Sequence, residues 1–368
     1  MSEPVRIAVI GLGRIGKFHA RHVLELGQTE KVCELTAVVD SDSARGVAFL
    51  DLLHGGFGDT AAENVASFQS VAELVEANVA DAAIVCSATA THQAVAEPLI
   101  EAGFRILMEK PMTESLEKDR AFTKFLNASS PDAVMLAFQR RFDAPLLHAK
   151  KMLSENVVGR LIKIVSILED SGPPPVGYQS PGLLVDMAVH NIDEVVWLTG
   201  LMPVSATGVG SRVYNHHISD VVEDFDNASM FLNYQEDFAV QIDVSRVHTP
   251  GYHVETRIYG EQGIICVGAF HSDPLHVAVT ALGKNGATNE QIFRMREYNA
   301  DAFGGEAVPE FVHRFGPAYY AELVEFVSKC RSGQPFSVNQ NDGLIAGKIA
   351  AAGMQSVSQD HSTVIDLS

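Results

Sequence analysis

The sequence predicts an α/β protein with two unlike halves. The first is a doubly wound parallel sheet, and the second an α+β domain built on a large, mostly antiparallel open sheet. Three observations predict this. Short apolar runs alternate with helical stretches over the first third; longer strand-like runs beside turn signals follow. The length of 368 residues suits about two domains at roughly 150 residues each. The expected domains are residues 1–137 and 138–368.

Val5–Ile10 is an apolar run of strand length, followed by Gly11-Leu12-Gly13-Arg14-Ile15-Gly16 and a helical stretch to about Leu26. Leu35–Val39 reads as the second strand and ends at Asp40. Further strands are expected at Ala82–Cys86, Arg105–Met108 and Val134–Ala137, with helices at Val71–Ala77, His92–Ala102 and Ser115–Leu126 between them. Parallel neighbours need such crossovers, whereas antiparallel ones do not. After a helix near Ala144–Leu153 come the runs Leu161–Leu168, Ala228–Tyr234, Phe238–Ser245, Val254–Tyr259 and Val277–Leu282. One strongly helical segment, Asp186–Leu198, interrupts the stretch from Arg160 to Ser332. A helix through Tyr319, Glu322 and Phe326 reads as core packing with one exposed acid.

Composition excludes several classes of partner. With 46 acidic and 27 basic residues, the chain carries a formal charge of −19 and repels polyanions on average, so nucleic acid and anionic membranes are disfavoured. Its four cysteines, Cys33, Cys86, Cys266 and Cys330, are far apart, with no C-x-x-C pair. That argues against a disulfide scaffold or structural zinc and suits a reducing compartment. No apolar run approaches the roughly 20 residues of a membrane span. Met1–Pro4 lead straight into a strand, so a soluble cytoplasmic protein is expected.

The glycine turn follows a predicted strand and opens a predicted helix, which is the context that gives Gly11-x-Gly13-x-x-Gly16 meaning. Gly11 permits the tight turn, Gly13 lets a pyrophosphate approach the backbone, and Gly16 lets helix and strand pack closely. The helix N-terminus, at Arg14 and Ile15, offers N–H groups and partial positive charge to the phosphates. Asp40, about two dozen residues after Gly16, suits the ribose hydroxyls of NAD and would repel the 2′-phosphate of NADP. Arg45 nearby reads as a solvated helix charge.

Glu109-Lys110-Pro111 follows an apolar strand, so Lys110 lies at the carboxyl edge of the sheet, where ligands of open α/β folds bind. At about 100° per residue, Asp186, His190, Asp193 and Trp197 fall on one narrow stripe beside an apolar face. Such a stripe reads as one wall of a cleft. Its two carboxylates and histidine could also hold a metal, yet no further group clearly completes a ligand set.

Taken in order, the glycine turn, Ser87-Ala88-Thr89-Ala90-Thr91-His92, Glu109-Lys110-Pro111, Gln139-Arg140-Arg141-Phe142-Asp143 and the Asp186…His190…Asp193 helix resemble the Gfo/Idh/MocA family. Pro173-Pro174-Pro175 and Leu184–His190 are most similar to its inositol 2-dehydrogenases. Ser245-Arg246…Gly251-Tyr252 and Arg314-Phe315…Tyr319…Glu322 echo its C-terminal portion, so the resemblance covers nearly the whole chain. It implies an N-terminal Rossmann domain for NAD and a C-terminal domain whose open sheet serves a homo-oligomer, dimer or tetramer. It implies catalysis by Lys110, Asp186 and His190, with NAD contacts from Gly11, Gly13, Arg14, Ile15, Gly16, Asp40, Ser87, Thr89, His92, Glu109 and Lys110. Substrate contacts are implied for Lys110, Arg140, Asp186, His190, Asp193, Tyr252 and His313.

The chain departs from the inositol dehydrogenase pattern at several points. Glu169 stands where an arginine is usual, Pro181-Gly182 where a Gly-Gly pair is usual, Ala88 where proline is usual, and His253 where an acid is usual. These touch the choice of polyol more than the reaction class. His216-His217 with Asp220, Glu223, Asp224 and Asp226 looks superficially like a metal cluster, but its acids lead into a strand and the resemblance implies similar acids there without metal, so no metal is expected. His271 and His276 are isolated, and Cys86 reads as buried filler. The expected function is NAD-dependent oxidation of a secondary hydroxyl of a small neutral cyclic polyol or sugar. The alternatives are an anhydrosugar or aldose dehydrogenase, an NADPH-dependent reductase, and a cofactor-binding regulator without turnover.

Overall fold

The computed structural model of the protein describes residues 3–56, 64–172, 180–212, 224–248, 251–268, 276–284, 291–299, 311–359 and 364–367. It divides into two compact units, Met1–Phe138 with Tyr319–Leu344, and Gln139–Ala318 with Ile345–Ser368.

The first unit holds six parallel strands: β1 (Val5–Ile10), β2 (Cys33–Val39), β3 (Ala66–Phe68), β4 (Ala82–Val85), β5 (Arg105–Met108) and β6 (Val134–Leu136). Their order is β3-β2-β1-β4-β5-β6, so the winding reverses between β1 and β4. That switch point opens a crevice at the carboxyl ends of those strands. β4 is buried at all four positions and β5 at its last three, the unbroken apolar run expected of a sheet covered on both faces. The crossovers are α1 (Arg14–Glu30), α2 (Ser43–Gly56), α3 (Val71–Ala77), α4 (His92–Glu101) and α5 (Leu116–Ser129). Ser70 and Ser115 start α3 and α5 by accepting the N–H of Glu73 and Lys118.

The segment Tyr319–Leu344 joins this unit through Arg105. That guanidinium donates to the carbonyls of Lys329 and Gln334 and lies 3.9 Å from the centre of the Phe336 ring. Here the structure corrects one expectation. Glu322 is not exposed but fully buried, and burial, reinforced by Glu109, pushes its carboxyl well above the usual carboxylate range. Helical spacing identifies the inward face only when a charged residue is not itself part of it.

The second unit begins with α6 (Ala144–Ser154) and β7 (Leu161–Glu169), followed by α7 (Val189–Thr199), β8 (Ser205–Ser211), β9 (Asn227–Asn233) and β10 (Ala239–Ser245). β11 (His253–Gly260), β12 (Gly263–Val267), β13 (His276–Lys284), β14 (Gln291–Asn299) and β15 (Ile365–Asp366) complete a nine-stranded sheet. Its order is β14-β13-β12-β11-β7-β10-β9-β8-β15. β7 and β10 run parallel, and the other pairs are antiparallel. β9 and β10 bury alternate residues, so one face is packed and the other open. α7 is tied to the packed face where Asn191 donates to Ser166 Oγ at 2.8 Å.

The elements that exceed the sequence reading are α2, β3, β8, β12, β14 and the long helix α9 (Gln340–Ser358), whereas the helix expected through Tyr319, Glu322 and Phe326 is α8 (Phe311–Ser332). α8 extends beyond the expected residues at both ends. Its Gly316 and Pro317 weaken the helical signal, whereas burial of Phe315, Tyr319, Leu323 and Phe326 rewards the helix.

Candidate active site

In the first unit, β1 delivers the chain into the glycine turn. Gly11 has φ +88°, and a Cβ there would lie 2.7 Å from the Cys86 carbonyl oxygen. A Cβ on Gly16 would lie 1.8 Å from the Gly11 oxygen, so α1 meets the turn in backbone contact. Gly13 is the opposite case: among the described residues, no neighbouring atom lies within 4 Å of where its Cβ would stand. Gly13 also caps α1 without any side-chain hydrogen bond, and Arg14 beside it is exposed. A helix start of this kind suits an anionic ligand.

Asp40 is fixed beside this turn. One carboxylate oxygen accepts the Leu12 N–H at 2.8 Å and the other the Asp42 N–H at 3.0 Å. Arg45 stands 3.9 Å away and is largely exposed. Across the switch point, Thr91 donates to Ser87 Oγ at 2.8 Å, and Thr89 opens a single helical turn. His92 is buried, with its ring nitrogens 3.1 Å from the carbonyls of Pro111 and Ser87. Burial lowers its pKa, only partly opposed by the Ser87 carbonyl and Glu109. His92 thus ties the Ser87 loop to the turn after Lys110.

Lys110 is half-buried at the end of β5 and precedes a cis peptide to Pro111. The Glu109 carboxylate accepts the Lys110 N–H at 3.2 Å and lies 2.9 Å from His19 Nε2. Cys86 is half-buried rather than buried, and desolvation raises its thiol well above the ordinary value.

In the second unit, Asp186 lies in a π-turn, Leu184–Ala188, that runs directly into α7. The wider turn breaks the uniform stripe expected from 100° steps, so the four residues have different surroundings. Asp186 meets Arg246 at 3.1 Å, and the same guanidinium donates to Ser180 Oγ at 2.7 Å and to Asp224 at 3.3 Å. His190 is buried at the start of α7. Asp193 accepts both arms of Arg141, at 2.9 and 2.5 Å. Trp197 is packed by Lys150, whose Nζ lies 4.2 Å from the ring centre and donates to the Trp197 carbonyl at 2.6 Å.

The charges of Gln139–Asp143 are likewise paired. Arg140, almost wholly buried, donates to Glu194 at 2.8 Å, and Glu194 also accepts the Thr256 hydroxyl. Asp143 accepts both arms of Arg314 at 2.7 and 2.9 Å. Tyr252 stands edge-on to Phe315 at 6.4 Å, and burial pushes its hydroxyl up to about 12. His313 is half-buried on α8.

Two of the departures noted in the sequence meet each other. Glu169 and His253 are direct cross-strand partners on β7 and β11, with Oε2 and Nδ1 2.7 Å apart. Burial works against a charged imidazole there, but hydrogen bonds from Glu169 and Glu255 outweigh it and raise His253 to about 9. The same His253 contact holds the Glu169 carboxyl below its ordinary value.

Residues 5–138 match the oxidoreductase family's NAD-binding Rossmann fold, and residues 150–367 match its C-terminal alpha/beta domain. The chain belongs to the Gfo/Idh/MocA oxidoreductase family. It is 28% identical over 357 residues to an inositol 2-dehydrogenase of Rhizobium meliloti (strain 1021), covering 96% of this chain and 97% of that one. It is 26% identical to the scyllo-inositol 2-dehydrogenase (NAD(+)) of Bacillus subtilis (strain 168), covering 100% of this chain and 98% of the other. The crystal structure of a putative myo-inositol dehydrogenase from Sinorhizobium meliloti 1021 superposes with a TM-score of 0.78 at 26% identity, covering 99% of this chain and 100% of that one. Residues 5–138 are thus this family's NAD-binding domain, and the expected fold class holds in both units.

Sequence reading of this Gfo/Idh/MocA member missed the partners of its acids: Arg246 for Asp186, Arg141 for Asp193, and His19 for Glu109. It also missed that Glu169 and His253 pair, although their reciprocal change of charge type was a signal. Pro173-Pro174-Pro175, His216, His217, Asp220, Glu223 and His271 lie outside the described residues. Asp224 accepts the Leu183 N–H and faces Arg246, so it belongs to the buried ion cluster around Asp186.

Proposed function

We propose that the protein oxidises a secondary hydroxyl of a cyclic polyol or sugar, foremost an inositol isomer, to a ketone with NAD. The observation that carries this reading is the likeness along the whole chain to inositol 2-dehydrogenases, in a sequence that holds Lys110, Asp186 and His190 at the positions proposed for catalysis. The open approach at Gly13, the uncapped start of α1 and the Asp40 carboxylate suit a dinucleotide, and Asp40 disfavours a 2′-phosphate. Arg14, Ile15, Ser87, Thr89, His92 and Glu109 complete the proposed cofactor contacts. When bound, NAD supplies the hydride acceptor.

The chain's own residues handle the proton and the charge. His190 takes the hydroxyl proton, a role suited to imidazole near neutrality. The Lys110 ammonium stabilises negative charge developing on the substrate oxygen. Asp186, held in place by Arg246, orients the substrate hydroxyl. Arg140, Asp193, Tyr252 and His313 are proposed to meet the remaining substrate hydroxyls. Retention of the trio disfavours a regulator, since binding alone needs no general base. The open sheet face exposes Val209 and Phe231, which supports a homo-oligomer, dimer or tetramer, testable by sedimentation. No helix among the described residues is long and apolar enough to cross a membrane. The four free cysteines fit the proposed cytoplasmic location.

The test is formation of reduced nicotinamide with NAD or NADP against inositol isomers, monosaccharides and anhydrosugars. Turnover with NAD and a polyol is expected. Cofactor binding with no turnover on any substrate would leave the regulator. His190→Ala should lower kcat about a hundredfold or more. Combined with Lys110→Ala, the loss should fall short of the product of the single losses, because both groups serve one transition state. Full multiplicativity would overturn the shared role.

A further inference from the structure

We propose that Glu169, His248 and His253 form a binding site for a divalent transition-metal cation of the zinc class, held by one carboxylate oxygen and two imidazole nitrogens. One ligand atom from each residue lies within 4.8 Å of the other two. The fold brings them together for separate reasons. Glu169 ends β7 and His253 opens β11 directly opposite, so both side chains leave the same face of the sheet. His248 follows β10, and its N–H donates to the Asp170 carbonyl at 2.8 Å, which returns the chain to the end of β7. His248 Nε2 is then 3.4 Å from Glu169 Oε2. Two ligands about 2.0–2.2 Å from a tetrahedral centre stand roughly 3.4 Å apart, so this edge of the site needs no rearrangement.

The second observation is how the rings are held. His248 Nδ1 lies 2.5 Å from the Gly251 carbonyl. A carbonyl only accepts, so Nδ1 carries a hydrogen and Nε2 is the nitrogen that would bind the cation, after giving up any hydrogen it shares with Glu169. His253 turns Nδ1 to Glu169, while its Nε2 stands 3.4 Å from a Glu255 oxygen. His248 thus has its non-ligating nitrogen hydrogen-bonded to a carbonyl, the support that orients and strengthens metal-bound histidines, and His253 has its own facing the Glu255 carboxylate at 3.4 Å. The cation takes the place of the hydrogen that Glu169 and His253 share, releasing one proton, and their separation widens from 2.7 Å.

The donor set fixes the class of ion. Imidazole with carboxylate suits zinc, cobalt or nickel, whereas magnesium and calcium prefer oxygen alone. Three protein ligands leave a fourth position for water or an oxygen of a small molecule. None of Lys110, Asp186 and His190 is a ligand, so the site does not rest on the dehydrogenase reading.

The full-length chain, stripped with a chelator, is titrated with Zn2+ against a chromophoric chelator, and with Co2+ by visible spectroscopy, without cofactor or substrate. Saturation at about one Zn2+ per chain and the intense bands of tetrahedral cobalt are expected. Glu169→Gln and His248→Asn should each weaken Zn2+ by more than about 100-fold, and the milder Glu255→Gln by about 10–100-fold. Thermal unfolding should shift upward with Zn2+ in the wild type and not in Glu169→Gln. If His248→Asn fails to fold, Glu255→Gln carries the comparison. No saturable binding by the wild type, or equal affinity in Glu255→Gln and Glu169→Gln, overturns the site and leaves a hydrogen-bonded acid–imidazole cluster.

Discussion

The two units prepare for chemistry by different means. The first uses backbone: Gly11 turns, Gly16 yields to the Gly11 carbonyl, and Gly13 leaves space, all within six residues of chain. The second uses paired side chains drawn from distant segments, such as Arg246 with Asp186 and Arg141 with Asp193. Asp186 and Asp193 there are each paired with an arginine, whereas the first unit buries Glu322 with no hydrogen-bond partner for either carboxyl oxygen among the described residues. A backbone cradle tolerates changes that spare its contacts. A buried ion cluster fails when one member is removed.

The largest expected effect tests that last point. Arg246→Met leaves Asp186 and Asp224 buried without their shared cation, so urea unfolding should show a loss of about 3–5 kcal/mol. A loss below about 1 kcal/mol would show the cluster to be solvated and the contrast between the units unfounded.

The next pair separates two glycines of one turn. Gly16→Ala forces a methyl group onto the Gly11 carbonyl and should cost about 1–3 kcal/mol. Gly13→Ala meets nothing and should change stability by less than about 0.5 kcal/mol while weakening NAD in a binding titration. Equal stability losses would erase the distinction between a packing glycine and a ligand-facing one.

Asp40→Asn keeps an acceptor for Leu12 but loses the charge. The kcat/KM preference for NAD over NADP should fall by about 10-fold or more, as for a lost hydrogen bond to a charged group. An unchanged ratio would move cofactor choice elsewhere in the turn.

The smallest effect concerns pH. Because burial raises the folded carboxyl of Glu322, its contribution to stability is complete below the ordinary glutamate pKa of about 4.5 and is lost as pH rises toward the folded value. Glu322→Gln should flatten that decline and leave the chain more stable than wild type at alkaline pH. Parallel stability–pH curves would mean that Glu322 gains a compensating partner on ionisation.

The first unit was legible because its signals are local. A strand, a turn with Gly11, Gly13 and Gly16, and an acid at the end of the next strand can be read in one short window. Lys110 was legible for the same reason, at the end of an apolar strand. Short or weakly apolar elements such as β3 and β8 left little signal, since their pairing rather than their composition holds them in the sheet. Asp186, His190 and Asp193 were recognised as a group, yet the π-turn that gives Asp186 separate surroundings is absent from any fixed period.

By itself, the sequence determined the parallel sheet, its nucleotide cradle, and which acids, lysine and histidine would be candidates for chemistry. The tertiary structure alone decided which charges face one another. Arg246 lies 60 residues beyond Asp186, and His253 lies 84 beyond Glu169. Such pairings follow from strand order and register, which side-chain periodicity does not encode, because the same alternation suits many neighbours.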